Sequence, residues 1–270
     1  MALPTYIYHY TSLDALINGI IRPQNEMATY EDNEICMWAT HCNYLNDPTD
    51  VFFGDTLIKK YPAFKDIYSN EFVNSSTNKL RAYYIISFSE QLDDLSMWSM
   101  YGKNGTGVML AFDFQETICH PSFVDYLHCC CYEGKGVANL CERIKKRLQQ
   151  FESDNSIPSE YKEEGPRKLG FLHGYIHAYS RLIKSKAYKH EQEWRILIPL
   201  DQYKGKVLFR SRAGMLIPYI EVFFPKRLLK SIWIGPTQNM ELSEISLRMF
   251  LDQNDLKKVE IHKSKVPYRI

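Results

Sequence analysis

No stretch of the 270 residues approaches the roughly 20 consecutive apolar positions that a bilayer-spanning helix needs. The first residues, Met1-Ala-Leu-Pro-Thr-Tyr6, lack the basic and apolar regions of a secretory leader. Both absences point to a cytoplasmic chain. An excess of one charge sign is missing as well. The formal net charge of +1 supplies no general attraction to nucleic acid or to an anionic membrane surface. The seven cysteines contain no CxxC pair, and three of them are adjacent at Cys129, Cys130 and Cys131. Neighbours on a strand point to opposite faces, so this run makes a poor disulfide framework and reads as free thiols. Paired Cys/His spacing of the kind that holds structural zinc is absent, and no metal is expected. Internal repeats and low-complexity tracts are also missing.

What is present is core-forming material. Hydrophobic residues make up 45% of the chain against 24% charged, the balance of a chain that buries a real interior. The 19 tyrosines and 4 tryptophans bring large apolar faces with polar tips, suited both to cores and to pocket walls. Strands are expected at residues 5–10, 35–40, 83–89 and 107–113, with 124–132 pairing with the last of these. Further strands fall at 194–200, 206–209, 216–222, 231–234 and 259–262. Thr11 or Ser12 caps a short helix, another runs over 51–61, and Asp93 or Asp94 caps a turn or two through Trp98 and Tyr101. Residues 69–79 read as a polar loop. Helical spacing of apolar residues predicts long helices over 137–151 and 167–185, joined by the acidic stretch 152–165, and one more over 241–251. Strands at both ends with helices between favour one domain, 1–270, carrying a helical insertion at 133–190.

Four segments are tightly written: Tyr8-His-Tyr-Thr-Ser12, Trp38-Ala-Thr with Leu45-Asn-Asp-Pro48, Ser87-Phe-Ser-Glu90 running into Met97-Trp-Ser-Met-Tyr101, and Glu191-Gln-Glu-Trp-Arg195. With Ile234-Gly-Pro236 they resemble, in order and over nearly the whole chain, the bacterial family known as domain of unknown function 2971 (DUF2971). A weaker resemblance is to the ADP-ribosyltransferase fold, through a first-strand His, a Ser-x-Ser strand and a late Glu-x-Glu. It implies an α+β protein with mixed, mostly antiparallel sheets around a cleft that holds NAD as substrate. Carried over, His9 would bond the adenosine ribose, Ser87 and Ser89 would support the nicotinamide side, and Glu193 would be the catalytic carboxylate. Tyr101 stands beside Ser87 as the alternative middle-motif residue. Tyr10, Thr11, Trp98 and Glu191 complete the implied nucleotide-binding set. The implied function is an NAD-consuming ADP-ribosyltransferase or NAD glycohydrolase, of the kind found in toxin and phage-defence biology, with a macromolecular acceptor unspecified.

The chemistry is coherent, because cleavage of the nicotinamide–ribose bond passes through an oxocarbenium-like state and the leaving group is already cationic. One carboxylate to stabilise positive charge, one His and an aromatic wall would suffice. Each piece also has an ordinary explanation. His9 reads as a satisfied strand histidine, Ser87 and Ser89 as backbone-bonding serines, Asn46-Asp-Pro48 as a turn, and Glu191 and Glu193, on one strand face, as partners of Arg195 or Lys189. Two other functions stay open. One is a nucleic-acid-handling protein using Lys184, Lys186, Lys189 and the segment 226–230 on phosphates; the other is a non-catalytic ligand-sensing or interaction module. His173 and His177 have metal-ligand spacing on a helix but lack a zincin Glu. Gly102-x-x-Gly105-x-Gly107 lacks the strand-to-helix order of a dinucleotide fingerprint and reads as a hairpin connection.

Overall fold

A computed structural model describes residues 3–22, 33–47, 49–65, 67, 83–124, 126–155, 157–200, 203–237 and 239–267; the loop expected at 69–79 and Pro48 lie outside them. The architecture is mixed α+β, with one extended and mostly antiparallel sheet. Its backbone is built from β1 (Tyr6–Thr11), β2 (Glu34–His41), β3 (Tyr83–Ser89), β4 (Val108–Asp113), β5 (Leu127–Cys129), β6 (Cys131–Tyr132), β7 (Ile183–Lys184), β8 (Glu193–Pro199), β9 (Leu208–Arg212), β10 (Met215–Pro225), β11 (Leu229–Ile234) and β12 (Glu260–Lys263). Helices are α1 (Leu13–Ala15, continuing as a wide turn through Ile20), α2 (Asp50–Lys59), α3 (Leu95–Met100), α4 (Phe114–Ile118), α5 (Lys135–Gln149), α6 (Pro166–Ser180) and α7 (Met240–Gln253).

The strand order is β12-β11-β4-β1-β3-β2-β10-β9, with β8 on β3 and β5 on β8. Among the described residues, only β11–β12 and the small β6–β7 pair run parallel. β3 is the hub. One of its edges pairs with β8 along its whole length, from Tyr83↔Pro199 to Ser89↔Glu193. The other edge is shared: β2 takes the start of β3 at Thr40↔Ile85 and His41↔Tyr84, while β1 takes its end at Tyr8↔Ser89. Between these contacts β1 and β2 diverge, and the middle of β3 is left without a strand on that side.

The main core joins Ile7, Phe88, Phe112, Phe123 and Phe224 with the apolar faces of α1 and α7. A second cluster gathers Ile58 and Phe64 with Leu140 and Ile144 of α5, Ile176 of α6 and Ile183. α2 therefore packs on the helices of the 133–190 segment. Gly54 makes this close approach workable, since a Cβ there would stand 1.9 Å from the Ser180 carbonyl oxygen.

Three local expectations are corrected. The described residues of 124–132 do not pair with β4, whose two edges are filled by β1 and β11. They form β5 and β6 instead, on β8 and β7. The helix expected to reach Ser185 stops at Ser180, and Ile183 and Lys184, both buried, form β7 instead. The glycines at 102, 105 and 107 join α3 to β4 rather than two strands. Gly105 adopts φ 80°, and a Cβ on Gly107 would stand 2.1 Å from the Thr11 carbonyl oxygen. All seven cysteines are free.

Candidate functional site

The divergence of β1 and β2 opens a cavity of about 710 Å³, inside the range of ~300–1,000 Å³ usual for small-molecule sites. Its walls include His9, Tyr10 and Thr11 from β1, Trp38 and Thr40 from β2, Ser87 and Ser89 from β3, and Tyr101 after α3. Glu191, Glu193, Lys184, Arg195 and Asp50 lie on its walls too, with Arg210 and Arg212 from β9. His9 and Glu193, 184 positions apart by their numbers, face one space.

The split determines the role of His9. The carbonyl of Ser87 lies where β3 has no strand partner, and a buried carbonyl needs a donor. His9 Nδ1 supplies it at 2.9 Å. A carbonyl only accepts, so the proton is on Nδ1 and Nε2 is the basic nitrogen. Burial lowers the His9 pKa; the Ser87 bond opposes this and the Arg210 charge adds to it. The ring is thus neutral at physiological pH. Ser89 Oγ donates to the Glu191 carbonyl at 2.5 Å and accepts from Gln91 N–H at 3.0 Å, tying β3 to the segment before β8. Tyr10 is tied off as well, its hydroxyl donating to the Gln91 carbonyl at 2.7 Å. Trp98 is absent from the cavity wall. It is fully buried edge-to-face on Tyr10, with Nε1 donating to Asp93 at 2.7 Å.

One side of the cavity is a buried network of charge. Arg195 grips Glu193 with Nε at 2.8 Å and a second nitrogen at 3.1 Å, and reaches Asp50 Oδ2 at 2.5 Å. Lys184 lies 2.7 Å from Glu191 and 2.6 Å from Glu193. The Tyr101 hydroxyl donates to the other oxygen of Glu191 at 2.8 Å. Burial alone would raise the Glu193 pKa, but the charges of Arg195 and Lys184 outweigh it and hold the carboxyl at about 2. Burial and then the Glu191 charge push the Tyr101 hydroxyl upward, so it stays a donor. Three carboxylates therefore face two cations, and one oxygen of Asp50 has no hydrogen-bond partner among the described residues.

Glu191 and Glu193 meet by a different route from the one the strand period suggests. Glu191 ends a 3-10 turn, Gln192 takes a left-handed φ of 44°, and only Glu193 belongs to β8. The two carboxylates converge because Lys184 sits between them. Lys184 is consequently buried and not part of a solvated basic face. In the 226–230 segment, Lys230 bonds Glu116 at 2.8 Å and Lys226 bonds the Asn254 carbonyl at 3.0 Å. Asp50, Arg210 and Arg212 were not read as site residues from the sequence. The turn-like run before Asp50 is a local signal for that residue, whereas the strand expected at 206–209 stops short of both arginines and β9 in fact runs over Leu208–Arg212.

His173 and His177 are buried on α6, their rings stacked 5.8 Å apart. Among the described residues no group of three or more His, Cys, Asp or Glu is placed to hold a metal ion, and no helix is long and apolar enough to cross a membrane.

Set against known families, residues 97–196 match the model described as "Protein of unknown function (DUF2971)". The match is to DUF2971. It takes in Tyr101, Lys184, Glu191, Glu193 and Arg195, so the ion network except Asp50 lies within the DUF2971 segment, while His9, Trp38, Arg210 and Arg212 lie outside it. No curated protein matches the chain, and no solved structure does.

Proposed function

We propose that the cleft binds NAD and breaks its nicotinamide–ribose bond, as an ADP-ribosyltransferase or NAD glycohydrolase would. The observation that carries this reading is the excess of carboxylate on one cavity wall: Asp50, Glu191 and Glu193 against Lys184 and Arg195, all within a pocket of nucleotide size. A net negative, water-poor wall stabilises positive charge developing on a ribose ring more strongly than the same charge in water. Glu193 stays ionised throughout the physiological range, and neutral His9 presents a bare Nε2 as acceptor for a ribose hydroxyl. The splayed β1 and β2 around a Ser-x-Ser strand support the likeness to the ADP-ribosyltransferase arrangement.

A second reading is favoured by one feature. Both oxygens of Glu193 are already held by cations, which suits a non-catalytic module that senses a nucleotide in the same cleft. Incubation with NAD separates the two, with nicotinamide followed by liquid chromatography and the melting temperature measured alongside. The expected result is nicotinamide release with a raised melting temperature. A raised melting temperature without release selects the sensing module, and neither effect overturns both.

A further inference from the structure

We propose that Arg210 and Arg212 form an anion subsite at this cleft that takes the pyrophosphate of the nucleotide; in naming the dinucleotide as its source, this rests on the reading above. β9 and β10 are joined by Ala213 and Gly214, at φ 48° and 77°, the two positive values of a tight hairpin turn. That turn fixes the register at Met215↔Arg212 and Ile217↔Arg210. The period of two then puts both guanidinium groups on the same face of β9.

Neither arginine has an anionic partner among the described residues. Arg210 donates to the Thr40 hydroxyl at 2.7 Å, and its guanidinium carbon lies 5.1 Å from the Trp38 ring and 5.7 Å from Tyr219. Arg212 donates to Asn46 Oδ1 at 2.8 Å and to the Tyr44 carbonyl at 2.5 Å. All these partners are neutral. Arg22, Arg181 and Arg195, by contrast, each hold a carboxylate. Four acids of the cavity wall are engaged elsewhere: Asp50 and Glu193 by Arg195, Glu191 by Lys184, and Asp47 by Thr49. Burial, and next the charge of Arg212, make Arg210 less willing to hold its proton than a free arginine.

Two like charges, half-buried and supplied only with neutral acceptors, are an unbalanced arrangement. An anion between them balances it. The planar forks of two guanidinium groups suit the oxygens of a phosphate or pyrophosphate, and the stack on Trp38 holds one fork in place before the ligand arrives. Charge along the cavity would then run from these arginines to the carboxylate-rich wall. That polarity matches a dinucleotide with an anionic centre and a cationic nicotinamide end.

Calorimetric titration with inorganic pyrophosphate tests the subsite directly, using the whole protein, Arg210→Gln, Arg212→Gln and Arg167→Gln, with melting temperatures to establish folding. Arg167 is an exposed residue of α6 outside the cavity. Arg210→Gln and Arg212→Gln should each weaken pyrophosphate binding by about 10- to 100-fold, the scale of one charge-assisted contact, and Arg167→Gln should leave it unchanged. If Arg210→Gln fails to fold, Arg212→Gln decides alone. The proposal is overturned if the wild-type protein does not bind pyrophosphate at millimolar concentration, or if folded Arg212→Gln binds it as well as wild type does. Binding lost in the variants, in a protein that never releases nicotinamide, keeps the subsite and removes the NAD activity. Nicotinamide release untouched in both variants does the opposite.

Discussion

Glu193 and Arg195 are the residues on which the cleft depends most. Each is almost fully buried, and each is tolerable there only because the other, with Lys184 and Asp50, balances its charge. Taking one member from such a buried pair typically costs about 3–5 kcal/mol, because the partner is left uncompensated. Glu193→Gln should therefore lower the melting temperature markedly while keeping the shape of the side chain. Under the proposed activity it should also cut nicotinamide release about 100- to 1000-fold, the usual cost of one electrostatic stabiliser. The measurements belong side by side. Lost stability with unchanged release would make Glu193 a structural residue and move the chemistry elsewhere on the wall.

At the scale of elements, the position of α2 decides where Asp50 stands, because Asp50 is its first residue. α2 is pressed onto α6 at Gly54, in line with the 1.9 Å that would separate an added Cβ from the Ser180 oxygen. In an exposed helix, replacing Gly by Ala stabilises by roughly 1 kcal/mol. Here the clash is with backbone, which cannot swing aside, and overpacking of this kind costs about 1–3 kcal/mol. Gly54→Ala should therefore be destabilising, with a lower urea midpoint. A midpoint raised or unchanged would mean that α2 and α6 do not meet in this way. The long helices need less from their surroundings. α5 buries Leu140, Cys141 and Ile144 on one stripe, the face that its apolar spacing predicts.

Across the whole molecule, the buried ion network makes stability sensitive to acid. The Glu193 carboxyl is depressed from an ordinary value near 4.5 to about 2. A depressed carboxylate contributes stability above its unfolded pKa, and that contribution is lost as pH falls through the folded value. The window is thus pH 4.5 down to about 2, and the full contribution is roughly 3 kcal/mol at 1.36 kcal/mol per unit. Denaturant titrations of wild type and Glu193→Gln should show a stability gap that is constant near neutrality and narrows as pH drops through that window. A gap that stays constant down to pH 2 would show that Glu193 is not held ionised by its neighbours.

The local pattern along the chain was enough to place β3 at Tyr83–Ser89 residue for residue, and to place α5 and α7 to within two residues at each end. Continuous apolar runs and helical spacing are properties of neighbours in sequence, so they survive without tertiary information. His9, Tyr101, Glu191 and Glu193 were legible as candidates for the same reason, being embedded in tightly written segments. What could not be read locally is everything that depends on which strand lies beside which. The 124–132 segment went to β8 and β7 because both edges of β4 were taken, a fact about sheet order and not about those residues. Trp98 looks like a pocket aromatic in sequence and is buried under Tyr10 instead. Asp50 joins Arg195 across 145 positions, and Arg210 joins Thr40 across 170. The cleft itself exists because β1 and β2 part company along one edge of β3, and only long-range pairing decides where two strands diverge.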